Sequence, residues 1–283
     1  MSRYAADGAA GATGAAPGRL GLWPTVRADR LFVGVLVGLI GLAWLSLVFW
    51  EVSPYSRFLS HKEVGDVAPF SDAYLRLLVF FVAGWTLMTV AMMLPTSLPL
   101  VAFFRSLVRD RPNSGALVSA LVLGYLAVWT AFAAVVHAND QGIHFAVHHI
   151  GWLDENAWLI AASTFVVAGL FQFSSLKYRC LDKCRSPVGF VLAHWREGTR
   201  TNAFLVGIRH GLFCLGCCWA LMLLMFAVGV GNIAWMLVLA AVMATEKNVS
   251  WGRRLSAPVG VLLVVSGIVL AIAGLAGVGV QSG

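Results

Sequence analysis

The chain is poor in charge. Asp, Glu, Lys and Arg together make up 12% of its 283 residues, against about 25% in a typical soluble domain. Carboxylates are the scarcer sign, 13 against 20 basic residues, which leaves a net charge of +7. Cysteine is also sparse and odd in number, five residues at 180, 184, 214, 217 and 218. None of them falls in a segment expected on the outside of a membrane, so a secreted disulfide framework is excluded. No Walker A, H-E-x-x-H, G-x-S-x-G or G-x-G-x-x-G signature occurs in a suitable context, so nothing points to a bound nucleotide. The basic excess comes without a stripe of interleaved aromatics, and nucleic acid is set aside as a partner.

Apolar residues are abundant. They form 59% of the chain, mean hydropathy is +0.82, and they come in uninterrupted runs. That pattern predicts an all-α, polytopic transmembrane helix bundle. Seven spans are expected, over residues 31–50, 74–94, 116–137, 157–176, 203–228, 233–245 and 258–278. Residues 1–30, with the run AADGAAGATGAAPG, read as a disordered tail that lacks the pattern of a signal peptide. Residues 31–283 read as one bundle without an internal repeat.

The loops sort by charge. Arg3, Arg19, Arg27, Arg30, Arg105, Arg109, Arg111, Lys177, Arg179, Lys183, Arg185, Arg196, Arg200, Lys247, Arg253 and Arg254 fall on one side if seven spans alternate. Arg57, Lys62 and Arg76 fall on the other, and 138–156 carries no Lys or Arg. The positive-inside rule then puts the N-terminus inside and the C-terminus outside, in the inner (cytoplasmic) cell membrane, with the bilayer itself as a partner.

The fifth expected span carries RHGLFCLGCCWALMLLMF, Arg209 to Phe226. At about 100° per residue, His210, Cys214, Cys217, Cys218 and Met225 share an arc of roughly 100°, Met222 lies just outside it, and Trp219 points away. Thiols and thioethers favour Cu(I), with zinc as the second candidate and imidazole as a borderline ligand. A histidine inside a membrane span is costly unless it has a task. Packing is the plain alternative, since Cys and Met fill helix interfaces well.

Three further groups could join this chemistry. Cys180 and Cys184, in KYRCLDKCRSP, are i, i+4 if the fourth span stays helical, with Pro187 ending that helix. WTLMTVAMMLPTSLPL places Met92 and Met93 just before Pro95, which cannot donate to the Ala91 carbonyl, and Thr96 and Ser97 are candidates to satisfy what it frees. HANDQGIHFAVHHIGWLDEN gathers His137, His144, His148 and His149 with Asp140, Asp154 and Glu155 in an expected outer loop that could capture a metal ion. Glu246 and Lys247 close the sixth span. They read most simply as an interfacial pair, a ligand or proton role for Glu246 being the alternative.

Four pieces in combination, WTLMTVAMMLP (85–95), FQFSSLKYRCLDKCRSP (171–187), GIRHGLFCLGCCWALMLLMFAVG (207–229) and NIAWMLVLAAVMATEKN (232–248), resemble the DUF2182 family of metal-binding integral membrane proteins. The resemblance covers residues 74 to about 256. It implies metal-binding roles for Met92 and Met93, the loop thiols Cys180 and Cys184, the helix with His210, Cys214, Cys217 and Cys218, and the terminal Glu246 and Lys247. Gly231 departs from the family pattern, which carries a methionine there.

The leading expectation is therefore a membrane protein that binds a soft metal, copper before zinc, and takes part in its transport or delivery. Its partners would be the metal ion and a metallochaperone or another membrane complex. The rival class is a membrane thiol–disulfide oxidoreductase using Cys180/Cys184 and Cys214/Cys217. A third class is a purely structural subunit whose cysteines pack helices.

Overall fold

A computed structural model of the chain describes residues 30–51, 71–196, 198–228 and 232–276. The expected N-terminal tail, most of the loop after the first span, and Gly231 lie outside the described residues. Among the described residues every regular element is helical.

The first helix, α1, is Arg30–Glu51. A long segment follows as α2 (Asp72–Met88), a π-helical turn (Thr89–Met93) and α3 (Leu94–Val108). Next come α4 (Ser114–His149) and the short α5 (Gly151–Glu155). The bent pair α6 (Trp158–Phe171) and α7 (Ser175–Cys184) leads to α8 (Pro187–His194). The core helix is α9 (Arg200–Val228), followed by α10 (Ile233–Asn248). A 3-10 turn (Gly252–Leu255) leads into α11 (Ser256–Leu275).

Four helical stretches are long and apolar enough to cross a membrane: 74–108, 114–149, 200–228 and 252–275. The α6–α7 pair, bent by 65°, makes a fifth if it counts as one span. The apolar part of α1, Gly34–Trp50, is shorter, and α10 has 16 residues, fewer than the roughly 20 a perpendicular crossing takes. Large apolar side chains cover the outside. On α11 alone, Val261, Leu262, Val265, Ile268, Val269, Ile272 and Leu275 are exposed. A belt of that size is unfavourable in water and suits a hydrocarbon surround.

Two local features differ from the sequence expectation. The fourth span does not stay helical. It breaks after Phe171, and Ser174 caps a new helix by accepting from the Lys177 backbone N–H at 3.1 Å. α7 ends at Cys184, just ahead of Pro187 as expected, and Pro187 opens α8 at its first turn, where its missing N–H costs nothing. The expected outer loop after the third span is helical as well, since α4 runs on to His149.

The core is organised around α9. Its stripe Ala203, Val206, Gly207, His210, Gly211, Cys214, Cys217, Cys218, Leu221, Met222, Met225 is buried, spaced by three and four as a packed helix face requires. α4 is its most extensive neighbour. Close approach depends on Gly207 and Gly124. A Cβ on Gly207 would stand 2.9 Å from the Leu121 carbonyl carbon and 3.0 Å from the Tyr125 nitrogen, and closer still to the Leu121 oxygen. With Gly211, this is the small-residue spacing by which membrane helices bring backbones together.

Candidate metal centre

Pro95 shapes the first wall of the site. It has no N–H for the Ala91 carbonyl, and the chain widens into a π turn in which the Leu94 N–H reaches the Thr89 oxygen. The freed Ala91 carbonyl accepts from the Trp44 indole Nε1 at 3.1 Å, a partner supplied by α1. Thr96, one of the expected rescuers, donates instead to the Met93 carbonyl at 2.8 Å, and Ser97 turns to His210. The extra residue of the π turn buries Ala91, Met92 and Met93 together.

The second wall is α9. Cys214, Cys217 and Cys218 are buried to 1% exposure or less. Cys217 Sγ lies 3.2 Å from Cys218 Sγ and donates to the Cys214 carbonyl at 3.1 Å. The Cys218 thiol is also within reach of Cys214. Cys214 Sγ meets the Tyr125 hydroxyl at 3.1 Å. Met222 and Met225 are fully buried further along the same helix.

The third wall is α10. Lys247, 5% exposed, turns inward. Its Nζ lies 3.0 Å from Cys214 Sγ, 3.1 Å from Thr96 Oγ1 and 3.8 Å from Met93 Sδ. The Glu246–Lys247 interfacial pair expected from the sequence does not form. Glu246 is 1% exposed and faces the other way. Its two carboxylate oxygens accept from Lys177 Nζ at 2.8 and 2.9 Å, and one accepts from the Ser256 hydroxyl at 2.7 Å. Lys177, counted in the sequence among loop charges, is fully buried and also donates to the Gln172 side-chain oxygen. Arg185 donates to the backbone carbonyls of Glu246 and Ser250.

The loop thiols part company. Cys180 is buried with its Sγ against the backbone of Gly216, 2.6 Å from where a Cβ would be. Cys184, half-buried, stands beside Cys217. Of the four thiols in the two expected pairs, Cys184 and Cys217 are the two that face each other across α7 and α9.

His210 is buried at 3% exposure. Its Nε2 is 3.2 Å from Ser97 Oγ, and its ring lies against Tyr125 and Phe190, with centroids at 5.7 and 5.5 Å. Nδ1 has no hydrogen-bond partner among the described residues. Tyr125 thus touches His210 with its ring and Cys214 with its hydroxyl, which separates imidazole from sulfur.

The outer histidines do not form one group. His137 is buried, 1% exposed, against Phe81 and Tyr74, with centroids at 5.0 and 5.7 Å. His144 and His148 lie together two turns on, centroids 6.5 Å apart, and His144 is 4.0 Å from Asp140. His149 stacks on Phe145 and bonds the Phe145 carbonyl.

Among the described residues no group of three or more His, Cys, Asp or Glu is arranged to hold a metal ion. What the helices bring together is a packed cluster of the Cys214, Cys217 and Cys218 sulfurs, with the Lys247 ammonium standing between Cys214 and Met93 at the edge of this sulfur pocket. Tyr125, Lys177, Gln172 and Ser256 were missed in the sequence. Lys177 alone left a signal, a lysine three residues after a capping serine.

A family model described as PpoB2, copper chaperone, matches residues 82–270. The match spans every residue of the pocket and stands where the sequence resemblance pointed to metal-binding membrane proteins, under a different family name. Comparison with curated proteins and with solved structures finds no match.

Proposed function

The chain belongs to the PpoB2 copper-chaperone family, and from that premise we propose that it is a membrane-embedded carrier of Cu(I), taking the ion as cargo and delivering it to a metallochaperone or another membrane complex. The single observation that carries the proposal is the sulfur pocket. Cys217 and Cys218 thiols lie 3.2 Å apart with Cys214 within reach, and Met93 lies across the Lys247 ammonium from Cys214, all sealed from solvent. Cu(I) is the ion such soft donors favour. Two thiolates, drawn from Cys214, Cys217 and Cys218, would hold it, with a thioether beside them.

Cys184 is the port. It is the half-buried thiol of the five, and its contact with Cys217 makes a step from surface to pocket by exchange of one sulfur for another. His144 and His148 are a second place of capture on the far reach of α4, whereas the burial of His137 argues for packing there. Seven spans with the N-terminus inside remain the proposed topology. α1 and α10 are then short spans met by local thinning of the bilayer or by snorkelling ends, and the cation-rich connections lie on the inner face.

The test is elemental analysis of the detergent-purified protein after Cu(I) loading, with and without Cys214→Ser and Cys217→Ser. Bound copper near one ion per chain, lost in both variants, is expected. Copper near zero in the wild type would refute the carrier. The contact of Cys184 with Cys217 favours one rival, a thiol–disulfide oxidoreductase. Absent copper together with a reversible Cys184–Cys217 crosslink on a non-reducing gel would turn the assignment to it.

A further inference from the structure

This inference rests on the carrier reading above and concerns what sets the charge of the ion the pocket takes. The bundle buries two ammonium groups and one carboxylate in this region. Glu246 is spoken for, held by Lys177 through both oxygens and by Ser256. Arg185 sits at the edge of the bundle on backbone carbonyls. Lys247 is left with Cys214 Sγ, Thr96 Oγ1 and Met93 Sδ as its hydrogen-bond partners among the described residues, and no carboxylate reaches it. A buried ammonium without an anion is strongly unfavourable. Around Lys247, the groups able to supply negative charge to it are the cysteine sulfurs and the Tyr125 hydroxyl, which itself lies 3.1 Å from Cys214 Sγ; of these, the sulfurs are the ones a soft metal ion would hold deprotonated.

We propose that Lys247 is the counter-charge that makes the pocket specific for a monovalent ion. Two thiolates around Cu(I) carry one net negative charge, and the Lys247 ammonium at 3.0 Å from Cys214 Sγ neutralises it. A divalent ion between the same two thiolates is already neutral, so Lys247 would stand beside it as an unpaired buried cation. Donor number points the same way. Cys217 and Cys218, with Sγ atoms 3.2 Å apart, offer the two thiolates with which Cu(I) is content. Zinc takes four ligands in its structural sites. The position of Lys247 thus reverses the usual expectation that a nearby cation opposes metal binding. It opposes the dication and favours the dithiolate complex of the monocation.

The experiment compares wild type, Lys247→Met and Lys247→Arg as full-length protein in detergent at one pH. Cu(I) affinity is read by competition with a chromophoric Cu(I) chelator, and Zn(II) affinity by competition with a zinc dye. Lys247→Met should lose about a hundredfold or more in Cu(I) affinity, the order expected for one contacting unit charge at an effective dielectric near 20. Its Zn(II) affinity should hold or rise, and Lys247→Arg should restore the Cu(I) preference. A Lys247→Met protein that keeps the wild-type Cu(I)/Zn(II) ratio to within about threefold overturns the proposal. If that variant loses its helical circular dichroism, Lys247→Gln takes its place under the same criterion. Wild type that binds Cu(I) leaves the carrier reading standing whichever way the ratio falls, and wild type that binds none overturns both.

Discussion

The Lys177–Glu246 pair offers a quantitative test of how the bundle is held at the α7, α10 and α11 junction. Both side chains are buried, at 0% and 2% side-chain exposure, and both Glu246 oxygens accept from the one ammonium. Glu246→Gln removes the anion and leaves Lys177 charged and enclosed. Breaking a buried pair from one side costs about 3–5 kcal/mol. The double variant Lys177→Met/Glu246→Met removes both charges together. What it leaves behind is the Gln172 side-chain oxygen and the Ser256 hydroxyl without their partners, at about 1–3 kcal/mol each, offset by the desolvation no longer incurred. The double variant should therefore be no less stable than Glu246→Gln alone, and a double-mutant cycle closed by Lys177→Met and Glu246→Met should return a coupling of at least about 2 kcal/mol. Unfolding free energies of the detergent-solubilised protein measure it. Additive single effects, or a double variant worse than either single, would refute the account of this pair as a mutually dependent charge couple.

Two other changes test the neighbouring contacts. Gly207→Ala should destabilise by about 1–3 kcal/mol or more, because the added methyl meets backbone of α4 that cannot rotate away. Copper content should fall with it as the Tyr125–Cys214 contact opens, and unchanged thermal unfolding would contradict the close approach. Trp44→Phe strands the Ala91 carbonyl in the core at a cost of about 1–3 kcal/mol. Adding Pro95→Ala should recover part of that by returning an N–H to the same oxygen, read as a rise in the unfolding midpoint of the double variant over Trp44→Phe.

Much of the helical architecture was legible because membrane helices announce themselves by length. Apolar runs pointed to α2, α4, α9 and α11, while α3 continues the second expected span beyond its expected end at 94, and the 100° rule put His210, Cys214, Cys217 and Cys218 on one buried face of α9, as found. Periodicity says nothing of where a helix bends, so the break after Phe171 was invisible, although Ser174 carried its capping signal. Partner choice was less legible still. Glu246 and Lys247 are adjacent in sequence and so read as a pair, yet on a helix successive residues point about 100° apart. One reaches the charge network of α7 and α11, and the other the sulfur pocket.

That divergence has a consequence for how the pocket came to hold a cation at all. A single lysine among thiols would be an unexplained cost in the core. Two lysines and one glutamate, sorted by the roughly 100° between adjacent positions of α10, leave a surplus charge beside Cys214. The surplus arises because Lys177 is drawn out of the loop charges into the core by the Ser174 cap and the 65° bend. The bend of the α6–α7 span therefore belongs to the site's chemistry as much as to its shape. It satisfies Glu246 from outside the pocket, and so leaves Lys247 to the sulfurs.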